Sequence, residues 1–192
     1  VYWLEYPEPE AAIDPLQWKR HDIGGNNREI KFISHGDLDK DGRLDVIAID
    51  KTSIVWFRST ESEWKEHVIP LPDGVGGGKS AVTFDVNQDG KNDLVFSCES
   101  AKAPLSGTQW LSYRDTPFEQ FWQNHEIAGK TGIKYDRIVP SDVDGDGDLD
   151  LIIAPGLQKF VNDGVGGFTE VTSFASTIAY TGSGMINSHR VS

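Results

Sequence analysis

Short apolar runs recur along the chain, and each one directly follows a stretch of aspartate, asparagine and glycine. The three clearest runs are 46–49, 94–97 and 151–154, and all are rich in branched side chains. Runs of this length, bounded by turn-forming residues, are typical of buried β-strands. None approaches the roughly 20 apolar residues that a membrane-spanning helix requires. The pattern predicts an all-β protein of strands joined by polar loops, with no membrane span.

The polar segment before each run is a nine-residue acidic loop with the pattern D-x-[D/N]-x-D-G-x-x-D. The first loop is 37–45, the second is 85–93 and the third is 142–150. Two bare carboxylates about 4 Å apart repel by on the order of 4 kcal/mol at an effective dielectric constant of about 20. A hard cation with about six to eight oxygen ligands removes this cost, which predicts one Ca²⁺ in each loop. The predicted ligands are the side chains at positions 1, 3, 5 and 9 and the backbone carbonyl at position 7, namely Asp37, Asp39, Asp41, Arg43 and Asp45; Asp85, Asn87, Asp89, Lys91 and Asp93; and Asp142, Asp144, Asp146, Asp148 and Asp150.

The first half of each loop resembles an EF-hand loop, with glycine at position 6, but the second half does not. An EF-hand needs a bidentate glutamate at position 12, where this chain has Ala48, Phe96 and Ile153. A strand, not a helix, is predicted to follow each loop, so the motif is strand, acidic loop, strand. Two simpler interpretations remain. The aspartates and glycines are ordinary hairpin residues, or the ions only clamp a hairpin and take no part in chemistry.

The acidic loop belongs to a longer repeat, because the loop starts are 85 − 37 = 48 and 142 − 85 = 57 residues apart. A unit also contains one strand with a tryptophan and another in which a second tryptophan precedes a histidine by three residues. Four strands in about 50 residues is the size of a β-propeller blade. A histidine that recurs once per unit is expected to pack between strands, not to bind metal or catalyse. The first strand carries Trp3, Trp56 or Trp110, and the second carries Trp18 with His21, Trp64 with His67, or Trp122 with His125.

Loop, apolar strand and tryptophan strands together resemble the FG-GAP or VCBS-type repeat of integrin-like β-propellers, over residues 1–172. The resemblance implies blades of four antiparallel strands, in which the acidic loop joins the first two strands and binds calcium through the residues named above. It divides the chain into a half blade at 1–27 and blades at 28–70, 79–128 and 136–172. In the last unit the tryptophan strand drifts to 157–161.

These blades, about three and a half to four in number, are too few for a closed integrin-like ring. Their outer strands would be left unpaired, which favours pairing with other chains. We therefore expect either a piece of a longer protein or a homo-oligomer, completed head to tail as a ring or filament. The tail at 173–192 is expected to donate strands to the half blade of the same or a neighbouring copy, or to be a frayed terminus.

The composition indicates which binding partners and which cellular compartment to expect for this protein. The formal net charge of −12 argues against nucleic acid, because phosphate binding needs a basic surface. Cys98 is the only cysteine, so no disulfide can form within one copy, and we expect a buried thiol. Weak calcium sites suit the abundant calcium outside cells, which favours an extracellular or periplasmic protein.

The sequence favours a calcium-stabilised extracellular β-propeller module with a structural or binding role that assembles through its incomplete blades. Two alternatives remain open. The whole-unit pattern, including residues 97–100 and 132–136, is also similar to the propeller part of aldos-2-ulose dehydratase-like carbohydrate enzymes, in which catalysis is assigned largely to metal-bearing cupin domains. No cupin-like His-x-His cluster is present in the sequence, so catalysis by this chain alone is not favoured. The other alternative is a lectin that holds a carbohydrate at the blade rims.

Overall fold

The computed structural model describes residues 1–127, 132–154 and 158–171. Over these residues the chain forms one two-stranded and three four-stranded sheets, all antiparallel, which confirms the predicted all-β, blade-like fold. The first sheet contains β1 (Tyr2–Glu5) and β2 (Lys19–Asp22), and the second sheet contains β3 (Phe32–Gly36), β4 (Asp45–Ile49), β5 (Ser53–Ser59) and β6 (Trp64–Pro70). The third sheet contains β7 (Gly77–Phe84), β8 (Asp93–Glu99), β9 (Thr108–Ser112) and β10 (Gln123–Glu126). The fourth sheet contains β11 (Ile138–Ser141), β12 (Asp150–Ile153), β13 (Gln158–Asn162) and β14 (Phe168–Val171).

Each four-stranded sheet is a simple meander, because its strands are hydrogen-bonded in the order of the sequence. The acidic loops join the first two strands of each meander, as the repeat pattern predicts. Two short 3₁₀ turns, Pro9–Ala11 and Pro15–Gln17, separate β1 from β2. β7 begins at Gly77, which is two residues before the predicted start of its blade at 79.

The sheets pack face to face in a row, and the buried apolar runs form the layers between them. Between the second and third sheets, Ile47 and Trp56 pack in the same cluster as Phe96 and Leu111. The opposite face of the third sheet packs on the fourth: Val95 and Trp110 meet Leu151, Ile153 and Phe160. The other face of the second sheet joins Phe57 and Val55 to Val1 and Ile23 beside the first sheet.

The first strands of neighbouring sheets lie side by side. β7 contacts β3 and β4 on one side and β11 on the other. The Ser34 hydroxyl on β3 donates to the Ala81 carbonyl on β7 at 2.7 Å. Gly36 permits this approach, since a Cβ at that position would lie 2.3 Å from the Thr83 methyl group. The row is therefore closely packed along the first strands, close to the starts of the acidic loops.

Strand register explains the drift of the last unit. Trp56 is opposite Ile47 on β4, and Trp110 is opposite Val95 on β8. The residue at the same register in the fourth sheet is Lys159, which is opposite Ile152. Phe160 instead corresponds to Phe57 and Leu111, whose side chains face the preceding sheet.

Two further sequence predictions concern the ends and the membrane. The tail 173–192, with its predicted role as a strand donor, lies outside the described residues. Within the described part of the chain, no helix is both long and apolar enough to cross a membrane.

Candidate metal centre

The position 1 aspartate organises each acidic loop by accepting backbone hydrogen bonds from later loop residues. Asp37 accepts from Asp41 N at 3.0 Å and from Gly42 N at 2.8 Å. Asp85 makes the corresponding bonds to positions 5 and 6 of the second loop. In the third loop Asp142 accepts from the N–H groups of positions 4 and 6. The loops are thus folded around this side chain.

Two backbone positions in each loop have positive φ. Position 6 is glycine in every loop, with φ of 87°, 88° and 98°, where other residues would be strained. Position 4 is also left-handed, with φ of 56° at Lys40 and at Gln88 and 83° at Gly145. The sequence pattern marked the glycine at position 6 but not the second turn, because position 4 has no constant residue type.

The position 9 aspartates are buried at the starts of β4, β8 and β12, and each fixes the beginning of its own loop. Asp45, Asp93 and Asp150 accept from the N–H of position 2 at 3.2, 3.0 and 2.8 Å. Asp45 also accepts from Ser59 N and from the Trp56 indole, both at 2.8 Å. Asp150 accepts from Asn162 N at 2.9 Å. Asp45 and Asp150 therefore connect their loops to the third strand of the sheet.

Burial and crowding make several of these carboxylates hard to ionise. Burial raises the pKa of Asp93 to about 7, and the charges of Asp89 and Asp85 add to the rise. Burial likewise raises the pKa of Asp148 to about 6, with contributions from Asp146 and other carboxylates of the third loop. Burial is also the main cause of the raised pKa of Asp45, against the hydrogen bonds that it accepts. A cation among these groups would reverse the effect, because an opposite charge favours the ionised form.

The structure brings part of the predicted ligand set together. In the first loop, carboxylate oxygens of Asp37, Asp39 and Asp45 lie within 4.8 Å of one another. In the third loop the same holds for Asp142, Asp144 and Asp146. In the second loop position 3 is Asn87, whose side-chain oxygen accepts from Asp89 N at 3.2 Å.

Position 7 was predicted to act through its backbone carbonyl, and the structure shows how its backbone is held. Arg43 N, Lys91 N and Asp148 N donate to the position 5 carboxylate at 2.9, 2.9 and 3.1 Å. These bonds fix the backbone at position 7 beside the position 5 side chain in all three loops.

One buried carboxylate oxygen indicates that the first loop suits a cation. Asp39 Oδ1, on a predicted side-chain ligand, is buried and has no hydrogen-bond partner. A buried polar atom without a partner costs about 1–3 kcal/mol, and more when it is charged. The donors are all oxygen atoms, which is the chemistry that hard divalent cations prefer. The residues present therefore fit such an ion.

The three loops differ in the basic side chains around them. In the first loop Arg58 donates to Asp39 and, at 2.7 Å, to Asp41. In the second loop Lys91 Nζ lies 3.6 Å from an Asp89 oxygen. Among the described residues, no lysine, arginine or histidine forms an ion pair with a carboxylate of the third loop.

Neighbouring loops and sheets are also hydrogen-bonded to each other. Asn92 Nδ2 donates to the Asp37 carbonyl at 2.6 Å, and Lys40 Nζ donates to the Gly90 carbonyl at 2.7 Å. Asn162 Nδ2 of the fourth sheet donates to the Val86 carbonyl at 2.9 Å. Sequence reasoning missed the contacts of Arg58, Asn92 and Asn162, because each joins residues that are far apart in the sequence.

Each recurring histidine lies opposite a tryptophan on the neighbouring strand. His21, His67 and His125 pair in register with Trp3, Trp56 and Trp110. The ring centroids are 4.1, 4.7 and 3.9 Å apart. Such geometry is that of packed aromatic pairs. Cys98 is a free, buried thiol, and burial raises its pKa to about 11.

Comparison with known proteins gives one family match and one structural likeness. The model of the FG-GAP-like repeat matches residues 37–96. A solved structure, described as that of an Agrocybe aegerita lectin with specific recognition of non-reducing terminal N-acetylglucosamine, has 19% identity and a TM-score of 0.47. The match covers 72% of this chain and 36% of that one, so the chain spans about a third of its length. No curated protein matches the chain.

The family match coincides with the structural repeat. It begins at Asp37, the first residue of the first acidic loop, and ends at Phe96 in β8, beyond the second loop. The lectin likeness is too weak to carry an argument about this chain. The chain therefore contains an FG-GAP-type repeat, built into blade-like four-stranded sheets.

Proposed function

We propose that this chain is a calcium-stabilised binding module of the β-propeller type, in which the three acidic loops hold Ca²⁺. The observation that carries the proposal is the buried, unpartnered oxygen Asp39 Oδ1, in a loop where carboxylate oxygens of Asp37, Asp39 and Asp45 lie within 4.8 Å of one another. A divalent cation would give this oxygen a partner and remove the repulsion between neighbouring aspartates.

The bound ion would supply positive charge, and the chain's own residues would transmit its effect to the fold. In the first loop the position 9 residue Asp45 is hydrogen-bonded to Leu38 at the loop start and to Ser59 at the end of β5. Asp150 makes the same connection between Val143 and Asn162 in the fourth sheet. Holding these carboxylates ionised and in place would therefore fix the first three strands of a blade together.

A melting experiment tests the proposal. The chain is heated in Ca²⁺ and in chelator, with Mg²⁺ as a third condition, and Ca²⁺ binding is measured separately by calorimetry. A ligand at 100 times its Kd stabilises the native state by about 2.7 kcal/mol per site, which raises the melting temperature. Asp142→Ala should lose one site and part of this rise. Asp115→Ala, at an exposed aspartate outside the loops, should lose neither.

Two results would contradict the calcium proposal. One is identical melting in calcium and in chelator, together with no binding heat. The other is equal loss of calcium binding in the Asp142 and Asp115 variants, since that would report overall charge and not the loop. A response to Mg²⁺ as strong as that to Ca²⁺ would show a divalent site without calcium selectivity.

We further propose that the module acts outside the cell or in the periplasm. The first loop shares its carboxylates with Arg43 and Arg58, and the second has Lys91 beside Asp89. Such loops suit weak sites, with Kd of about 10⁻⁴–10⁻³ M, which are filled where calcium is abundant. A measured Kd in the nanomolar range would count against this setting.

A carbohydrate ligand is the second candidate function. A groove of about 270 Å³ lies between the second and third sheets and is lined by Ile69, Pro72, Leu111, Phe121 and Trp122, among others. Phe121 is 86% exposed, so an aromatic face is available to an apolar surface of a ligand. A glycan array tests this proposal with the parent chain and with Phe121→Ala. Binding that survives Phe121→Ala would place the ligand elsewhere.

A further inference from the structure

We propose that Arg58 is a built-in counter-cation of the first loop, which lowers the affinity of this loop for a divalent cation. When the cation binds, the Arg58 guanidinium leaves Asp39 and Asp41. The inference rests on the proposed calcium function of the loops. It adds an affinity-determining residue that lies outside the acidic motif.

The guanidinium connects two of the predicted ligands. It donates from Nε to Asp39 Oδ2 and from Nη2 to Asp41 Oδ2, the latter at 2.7 Å. The side chain of Asp39 is only 6% exposed and that of Arg58 is 23% exposed, so solvent screens this pair weakly. Charge-assisted hydrogen bonds of this kind are stronger than neutral ones.

The same carboxylates cannot serve both cations fully. Asp39 presents one oxygen to Arg58, while its other oxygen, Oδ1, is buried without a partner. A carboxylate oxygen of Asp39 also lies within 4.8 Å of oxygens of Asp37 and Asp45. A divalent ion held by positions 1, 3 and 5 would lie beside the guanidinium, and the two positive charges would repel. Binding at the first loop therefore includes the cost of separating Arg58 from its partners.

Strand register shows that this arrangement is specific to the first loop. Phe57, Leu111 and Phe160 pair with the residue after the position 9 aspartate in their sheets. The next residue in each strand is Arg58, Ser112 or Val161. The second and third loops thus receive no basic side chain from this strand position.

A residue of the neighbouring sheet contacts the same guanidinium. Arg58 lies over the ring of Phe118, 5.6 Å from its centroid, within the range of a cation–π contact. Phe118 also packs against Trp56 and His67, with ring centroids 5.1 and 5.3 Å away. The connection between β9 and β10 therefore holds Arg58 in its position over the first loop.

The test replaces Arg58 with the residue that the third sheet has at the same register. Arg58→Ser should raise the affinity of the first loop for Ca²⁺ on the order of tenfold, since a competing charge-assisted contact is lost. Affinity is followed by Tb³⁺ luminescence excited through tryptophan and by displacement with Ca²⁺. Trp56 suits this readout, because its indole donates to Asp45 of the first loop at 2.8 Å.

Two control variants separate the competition from overall charge. Lys65→Ser removes a positive charge directly opposite Arg58 on β6, but Lys65 is 54% exposed, 3.5 Å from Glu63 and outside the acidic loop, so its effect on the affinity should be below about threefold. Arg58→Lys keeps the charge and should retain the low affinity. Arg58→Ser should also melt at a lower temperature in chelator and regain the loss in Ca²⁺, because only calcium then neutralises Asp39 and Asp41.

The outcomes distinguish the two proposals. Equal affinities in the parent, Arg58→Ser and Lys65→Ser proteins would overturn the role of Arg58 while the calcium function stands. Equal gains in Arg58→Ser and Lys65→Ser would reduce the effect to overall charge and also overturn the role of Arg58. An absence of Ca²⁺ and Tb³⁺ binding in every variant, with folding verified by melting in chelator, would overturn the calcium function itself.

Discussion

At the scale of the residue, the recurring histidines have a packing role that their surroundings explain. His125 stacks on Trp110, and its Nε2 lies 2.9 Å from the Ser112 hydroxyl. Burial lowers the pKa of His125, and burial together with the charge of Arg58 lowers the pKa of His67. Both rings are thus held in the neutral form, each on the fourth strand of its sheet and packed on a tryptophan of the third strand.

These lowered pKa values contribute a loss of stability in acid, opposite in sign to the contribution of the raised pKa values of Asp93 and Asp148. In the unfolded chain a histidine titrates near pH 6.5, above its value in the fold. The stabilisation is therefore fully present above about pH 6.5 and is lost as the pH falls through the folded pKa. His125→Gln should weaken this pH dependence in chelator, at a cost of about 0.5–1.5 kcal/mol for the lost ring contact. Urea unfolding between pH 5 and 8 measures the pH dependence of the unfolding free energy.

His35, which is exposed on β3, provides the matched control. His35→Gln should weaken the pH dependence of the unfolding free energy less than His125→Gln does. If His125→Gln and His35→Gln titrate alike, the acid sensitivity does not arise from the buried stacks. The stated direction of the His125 pKa would then be wrong.

At the scale of the element, each acidic loop is tied to its neighbours as well as to its own sheet. Asn162 at the end of β13 is 2% exposed and donates to the carbonyl of Val86 in the second loop. The Asn92 side chain donates to the Asp37 carbonyl of the first loop. Each bond satisfies a backbone carbonyl that belongs to the loop of the preceding sheet. The loops and sheets are therefore expected to unfold together, not one at a time.

Asn162→Ala tests this coupling. The change leaves the Val86 carbonyl without its partner, and we expect the free energy of unfolding to fall by about 1–3 kcal/mol. Urea denaturation followed by tryptophan fluorescence measures the loss. Thr169→Ala, at an exposed site on β14, should change it by less than about 0.5 kcal/mol. A separate early transition in the parent chain would contradict cooperative unfolding.

At the scale of the whole molecule, the first sheet presents an open edge. Among the described residues β1 is paired only with β2, and Tyr2, Leu4 and Ile33 beside it are 50%, 47% and 57% exposed. Unpaired strands with apolar side chains favour pairing with another chain. We therefore propose that copies of this chain associate through this edge, as a ring or a filament.

Light scattering of the purified chain in Ca²⁺ tests the association, and electron microscopy distinguishes rings from filaments. We expect a mass above that of the monomer, and Leu4→Lys should shift it towards the monomer because a charge would be buried in the contact. Leu16→Lys is the control, since Leu16 is 88% exposed and lies outside β1. A monodisperse monomer of the parent chain would contradict the proposal.

Calcium removal adds an independent check at this scale. If the loops hold the first strands of the blades together, chelator should dissolve the assemblies as well as lower the melting temperature. Assemblies that persist in chelator, with an unchanged scattering mass, would show that association does not depend on the acidic loops.

The sequence by itself determined the strands, the loops and the repeat. The apolar runs after each acidic loop form β4, β8 and β12, as predicted, because a short branched run between polar turns has few other ways to be buried. The FG-GAP-type repeat was also recognisable, since loop and strand positions recur together. The left-handed backbone conformation at position 4 of the loops was not predicted, because Lys40 and Gln88 adopt positive φ where no glycine marks the turn.

Only the tertiary structure decided which side chains complete the loops. Arg58 reaches Asp39 across 19 residues of sequence, Asn92 reaches Asp37 across 55, and Asn162 reaches Val86 across 76. Such contacts depend on strand register and on the packing of one sheet against the next, and no local pattern encodes either. The sequence therefore predicted three similar cation sites, whereas the fold makes them different. The first has its own arginine, and among the described residues the third has no ion-pair partner.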